Sequence, residues 1–170
     1  MMLQEDQVVL RPFAQSDAVV MASLANNGNI WNNVRDSFPH PYTAADAAAF
    51  ISANNTMPLQ KFAITCGGEF CGGIGLTGGV DIHRKNAELG YWLGEPWWGK
   101  GIATTAVKLI AEYGFEILNY QRIYAAVFPY NTASMRVLEK AHFELEHIAR
   151  QASIKNSIFY DEYVYVRLRP

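Results

Sequence analysis

The sequence predicts an α/β domain: one mixed sheet with helices on both faces. Three observations support this expectation. Segments of period-two hydrophobicity and segments of helical period follow each other in the order β-α-α-β-β-β-α-β-α-β-β. Two β-α-β crossings sit among runs of consecutive strands, which implies a mixed sheet, since a strict doubly wound fold would alternate throughout. The 170 residues are 50% hydrophobic and 13% aromatic, enough for a substantial core; no repeat or linker divides them, so residues 1–170 read as one domain.

Gln7 to Phe13 alternates weakly and closes on Arg11-Pro12-Phe13, a first strand ended by proline. Ser16-Asp17 offers a cap for a helix with Val20, Met21 and Leu24 at apolar positions, ended by Asn26-Asn27-Gly28-Asn29. Ile30 to Tyr42 is irregular and rich in aromatics and turn formers. Thr43-x-x-Asp46 resembles a capping box for a helix from Ala44 to about Asn54, with Ala47, Phe50 and Ile51 on one face. From Lys61 the period is two: Phe62, Ile64 and Cys66 share a side, Gly67-Gly68-Glu69 turns, and Phe70 to Leu76 returns. Gly72, Gly73 and Gly75 open that returning strand to close approach by a backbone or a ligand. The best-patterned helix places Ile102, Ala106, Leu109, Ile110, Tyr113 and Ile117 on a buried face. Arg122 to Val127 is a short strand, and Asn131 or Thr132 caps a helix with Met135, Leu138 and Ala141 inward. Glu144 to Gln151 and Phe159 to Leu168 form a closing hairpin across Ala152 to Ser157.

The formal charge of −2 gives no global steering toward nucleic acid, although Lys100, Lys108, Arg136 and Lys140 could converge on a local patch. No apolar run approaches the ~20 residues that span a bilayer. The N-terminus is polar and acidic, unlike a secretory signal, so the cytoplasm is the expected compartment. Cys66 and Cys71 have no histidine at ligand spacing and read as reduced thiols; no metal site is expected.

The chemistry concentrates between Ala87 and Ala106. The strand through Leu93 ends at Gly94-Glu95-Pro96, the pair Trp97-Trp98 follows, and Gly99-Lys100-Gly101 leads into a helix. Glycines before a helix N-terminus let an anion approach backbone N–H groups that lack intrahelical partners. That is a phosphate cradle.

Five blocks in order extend this motif across the chain. They are Leu10-Arg11-Pro12; Pro39-His40-Pro41-Tyr42-Thr43; Ala87-Glu88-Leu89-Gly90-Tyr91-Trp92-Leu93; Trp97 through Thr104; and Asn131-Thr132-Ala133-Ser134 through Phe143. With them the chain resembles the GNAT superfamily of N-acetyltransferases, in its Rim-type branch of ribosomal-protein alanine N-acetyltransferases. The resemblance implies a mostly antiparallel sheet splayed at an acetyl-CoA cleft, between the strand ending near Gly94 and the one ending near Val127. It places the family's phosphate signature on Trp98, Gly99, Lys100, Gly101, Ile102 and Ala103, with Thr104 as a further backbone donor. It implies that backbone near Trp92, Leu93 and Gly94 pairs with the pantetheine arm and that Asn131 contacts the cofactor; Arg136 is a candidate contact for its phosphates, a solvated charge being the alternative. Thr105 stands where the family commonly has glutamate, and His142 where it has glycine, a residue suited to a left-handed helix end.

Amine acetylation needs a base for the amine, a donor for the oxyanion and an acid for the leaving thiolate. Glu88 is the candidate base; a structural carboxylate paired with Arg84 or Lys85 is the alternative. The resemblance places Ser134 where this branch has a serine able to serve the sulfur, which makes it the candidate acid; a helix-start hydrogen bonder is the alternative. Trp31, Asn33, Phe38, His40 and Tyr42 are the candidate acceptor wall. The expected function is direct acetyl transfer from acetyl-CoA to a primary amine in a ternary complex, the acceptor a protein N-terminus or a small-molecule or antibiotic amine. A catalytically silent CoA-binding sensor is the rival. A Rossmann enzyme fits less well, because the third spaced glycine is missing. Expected partners are acetyl-CoA, an amine and a second copy of the chain, with neither nucleic acid nor membrane.

Overall fold

The computed structural model describes residues 2–170. Its centre is an eight-stranded sheet: β1 (Leu3–Glu5), β2 (Val8–Arg11), β3 (Lys61–Cys66), β4 (Glu69–Gly78), β5 (Asn86–Leu93), β6 (Arg122–Val127), β7 (Glu144–Lys155) and β8 (Ile158–Leu168). The spatial order is β1-β2-β3-β4-β5-β6-β8-β7. Every neighbouring pair is antiparallel except β5–β6. The helices are α1 (Ala18–Ala25), α2 (Gly28–Trp31), α3 (Ala44–Ala53), α4 (Ile102–Glu116) and α5 (Thr132–Lys140). The two expected crossings exist. Helix α4 joins the parallel pair β5 and β6, and α5 carries the chain from β6 to β7 with β8 inserted between them.

Alternation along β3 divides the core into two layers. Phe62 and Ile64 join Ile102, Ala106, Ile110 and Leu138 on the α4/α5 face. Ala63 joins Phe13, Met21, Ala47 and Ile51 on the α1/α3 face. The Thr43–Asp46 capping box forms as the spacing predicts, and the Gly67–Gly68 turn joins β3 to β4. Gly72 is required where β4 meets β5: a Cβ there would lie 2.1 Å from the Trp92 carbonyl oxygen. The close approach at these glycines is therefore to the chain itself.

Several expectations are corrected. A short strand, β1, precedes the first expected one, and Asn27 starts α2 by accepting the Asn29 N–H at 2.8 Å. Asp17 does not cap α1 with its side chain. It forms a two-point pair with Arg11, both contacts 2.7 Å, and accepts the Ala14 N–H. Burial pushes the Asp17 carboxyl up, but Arg11 and the Ala14 amide outweigh it and hold the group below its ordinary range. Val20 is exposed while Met21, Ala22 and Ala25 face inward, because the apolar face of α1 is rotated from the expected one. Ile117 lies past the last turn of α4 and is exposed. The closing hairpin is longer than expected. Its strands continue to Lys155 and Ile158, and only Asn156 and Ser157 turn.

Helix α5 ends in a Schellman arrangement, with the Phe143 N–H on the Leu138 carbonyl at 3.0 Å and the His142 N–H on the Glu139 carbonyl at 3.0 Å. His142 takes the left-handed position at φ 67°. A β-carbon costs about 1–2 kcal/mol in that region. His142→Gly should therefore raise stability by about 1 kcal/mol, read as a higher urea midpoint at unchanged slope. An unchanged or lower midpoint would contradict the assignment of strain to this residue.

Candidate active site

The parallel pairing of β5 and β6 covers only Asn86↔Arg122, Ala87↔Ile123 and Glu88↔Tyr124. Beyond Glu88 the strands part, β5 staying with β4 up to Leu93 and β6 with β8 up to Val127. A cleft of about 1700 Å³ opens along this gap, lined from β5, β6, both helix starts and the loop after α2.

Strand pairing decides which β5 backbone groups face the gap. Gly79 donates to the Asn86 carbonyl and Gly94 to the Cys71 carbonyl, both at 2.8 Å, so even-numbered β5 residues bond to β4. Tyr91 and Leu93 therefore turn their N–H groups toward the gap. This corrects the expectation for Trp92 and Gly94, whose backbones are engaged by β4. The Trp92 ring instead packs on Phe38 and Phe70. The Leu93 carbonyl is taken by the Trp98 indole N–H at 2.8 Å, which braces the loop after β5.

That loop delivers the chain to α4 through Gly99 at φ 73° and Gly101 at φ 78°. Both conformations favour glycine, and nothing lies within 4 Å of a Cβ built at either. No side chain caps α4. The first intrahelical bond is Thr105 N–H to the Gly101 carbonyl, leaving the amides of Ile102, Ala103 and Thr104 without partners among the described residues. Lys100, whose ammonium lies 5.1 Å over the Trp97 ring, Arg136 and Lys140 line the same cleft; Lys108 does not. The arrangement suits a polyphosphate.

The two candidate catalytic residues approach the gap from opposite faces. Asn131 caps α5, its Oδ1 accepting the Ser134 N–H at 3.2 Å. Ser134 Oγ lies 2.7 Å from the Tyr91 hydroxyl on the α4/α5 side. Burial pushes the Tyr91 phenol up to about 12 against the opposing effect of its contact with Ser134, so it stays protonated and can act as a donor. Glu88 projects to the other face, one quarter exposed, and accepts from Arg35. Neither expected partner holds it: Arg84 bonds the Asp81 carbonyl and Lys85 the Asn119 carbonyl.

The acceptor wall is only partly as expected. Asn33, Phe38 and Tyr42 line the cleft, whereas Trp31 and His40 stack on each other at 5.2 Å outside the lining. Tyr42 is core, its phenol pushed up to about 12 by burial and secondarily by Asp46. Sequence reasoning assigned no role to Tyr91, Arg35 or Lys155. Tyr91 is the polar exception on a β5 face otherwise formed by Leu89 and Leu93, a readable signal. Arg35 is the one Lys or Arg between Ile30 and Tyr42.

Lys155, 2% exposed, clamps the loop after α2. Its ammonium donates to the Val34 carbonyl at 3.0 Å and the Asp36 carboxylate at 2.7 Å and sits 3.7 Å over the Trp31 ring. Tyr130 and Asn156 each hold Asn32, at 2.6 Å and 3.2 Å.

A splayed parallel pair, an uncapped helix behind a glycine loop and polar groups on both sides of the gap mark this cleft as the candidate site. Residues 7–144 match the acetyltransferase (GNAT) domain family, and the chain belongs to it. An 86-residue stretch is 45% identical to the probable N-acetyltransferase YjcK of Bacillus subtilis, covering 51% of this chain and 48% of that protein. Spermidine N(1)-acetyltransferase of Escherichia coli is 30% identical over 82% of this chain and 74% of its own length. The fold matches RimL, a ribosomal α-N-protein acetyltransferase solved with coenzyme A, at TM-score 0.85 and 21% identity over 99% of this chain and 98% of that one.

Removing the clamp should free the loop. Lys155→Ala is expected to raise tryptic cleavage after Arg35 about tenfold by lowering the local opening energy, followed by mass spectrometry. Equal cleavage rates in the two proteins would show that Lys155 does not hold it.

Proposed function

We propose that this protein transfers the acetyl group of acetyl-CoA directly to a primary amine, and that the amine is a peptide or protein N-terminus. The observation that carries this reading is the placement of Glu88 and Ser134 on opposite faces of one gap that ends at an uncapped helix. The residues fit the cosubstrate. The free amides of Ile102, Ala103 and Thr104, with Lys100 and Arg136 nearby, suit its pyrophosphate, and the Tyr91 and Leu93 amides suit the amide-rich arm as an added strand would. Acetyl-CoA supplies the acetyl group as a thioester, reactive enough for attack by a neutral amine without a covalent enzyme step.

In this reading Glu88 takes the proton of the incoming ammonium on the α1/α3 side, directly or through a water. Ser134 donates toward the sulfur on the other side. Tyr91 positions Ser134: with the phenol donating to Ser134 Oγ, the serine hydroxyl is left to donate into the gap. The aromatic lining from Phe38, Tyr160 and Trp92 suits a peptide better than a highly hydrated polycation. RimL, which shares the fold, is named for α-N-protein acetylation, and the spermidine enzyme keeps a small amine as the alternative acceptor. The free thiols of Cys66 and Cys71 suit a reducing compartment, and we place the protein in the cytoplasm.

The test is CoA release on N-terminal peptides and small amines, with variants on each face. Glu88→Gln should lower kcat about a hundredfold while acetyl-CoA affinity, measured by calorimetry, is unchanged. Ser134→Ala should lower kcat about tenfold, with less loss when the thioester carries a better leaving group. Wild-type protein that binds acetyl-CoA but acetylates no amine would turn the reading toward a sensor. Full activity in Glu88→Gln would remove the base assignment.

A further inference from the structure

We infer that Arg35 determines acceptor specificity, selecting amines that carry a carboxylate in the next residue. The inference rests on the acetyl-transfer reading and concerns the same cleft. Arg35 donates through Nη2 to Glu88 Oε1, so the base is already engaged by a cation before any amine arrives. The partners are unequally placed, with the Glu88 side chain 24% exposed and that of Arg35 74% exposed. A pair with one end in solvent is screened and exchanges partners readily.

The backbone beneath Arg35 is fixed while its side chain is not. Val34 and Asp36, on either side, are both held by the buried Lys155 ammonium, and the Phe38 N–H donates to the Arg35 carbonyl at 3.0 Å. The guanidinium is thus presented from a rigid base to whatever enters this end of the cleft. Asp36, Asp46 and Glu162 also line this cleft, and the first two are committed elsewhere. Asp36 is taken by Lys155, and Asp46 by the Thr43 amide and hydroxyl.

An incoming ammonium must displace Arg35 from Glu88. A polycation does so by crowding two positive groups around one carboxylate. An acceptor with a carboxylate beside its amine exchanges partners instead: its ammonium goes to Glu88 and its carboxylate receives the guanidinium, whose fork matches it at two points. Two ion pairs replace one, and Glu88 is released to take the proton.

The test compares kcat/KM for peptides that differ only at position two (Asp, Asn or Lys), together with spermidine, in wild type, Arg35→Gln and Arg35→Glu. Wild type should prefer the Asp peptide over the Asn peptide about tenfold, with Lys lower still. In Arg35→Gln the Asp/Asn ratio should fall to near one, and in Arg35→Glu the order should reverse toward Lys. An unchanged ratio in Arg35→Gln, or a wild type that prefers spermidine to the Asp peptide, overturns the inference. So does an equal loss on every peptide with acetyl-CoA affinity intact, which a purely structural arginine would give. Turnover without an acid preference defeats this inference alone. No turnover on any acceptor defeats the acetyl-transfer reading with it.

Discussion

The site depends on the early end of one strand pairing. β5 and β6 are hydrogen-bonded only through Glu88↔Tyr124, after which each stays with its other neighbour. Two half-sheets, each with its own twist, therefore share a short seam and open beyond it. An unpaired strand edge inside a domain would ordinarily be a liability. Here it supplies the amides of Tyr91 and Leu93 in a row that leads toward the α4 N-terminus. The Tyr91–Ser134 contact bridges the opening on one face, and the Arg35–Glu88 pair closes it on the other.

The side of the cleft where we place the acceptor is assembled from distant segments. The loop after α2 has little structure of its own, and what fixes it arrives from the far end of the chain. Lys155 and Asn156 come from the closing hairpin and Tyr130 from the loop before α5. The asparagines at the start of α2 reach Glu95 beside the glycine loop, at 2.7 Å and 3.3 Å, which lowers the Glu95 pKa, chiefly through Asn27. The two ends of the cleft are therefore joined through α2. Buried charge at Lys155 is tolerated because a carbonyl, a carboxylate and an aromatic face all meet the one ammonium.

What the sequence discloses follows the range of the interactions. The Thr43 capping box, the glycine loop before α4 and the Asn131 cap are local, each decided within a few residues, and all are legible. The GNAT resemblance then orders them along a single cleft. Strand β1 and helix α2 are three and four residues long, too short to show a period. The end of β7 reads as a turn because Ala152 and Ile154 face solvent on an edge strand, so no buried alternation marks it. Sequence proximity points to Arg84 and Lys85 as partners for Glu88, whereas Arg35 lies fifty-three residues away. Trp31 and His40 look like a ligand wall by composition, yet they serve each other. Contacts of that range are set by the fold.

The edge of β5 past Glu88 is unpaired where we propose that the cosubstrate adds itself. Residue-resolved amide hydrogen exchange, with and without acetyl-CoA, tests this most directly. The Tyr91, Leu93, Ile102, Ala103 and Thr104 amides should exchange fast in the free protein and become protected on binding. Trp92 and Gly94, already bonded to β4, should be slow in both states. Saturating acetyl-CoA that leaves Tyr91 and Leu93 unprotected would contradict the account.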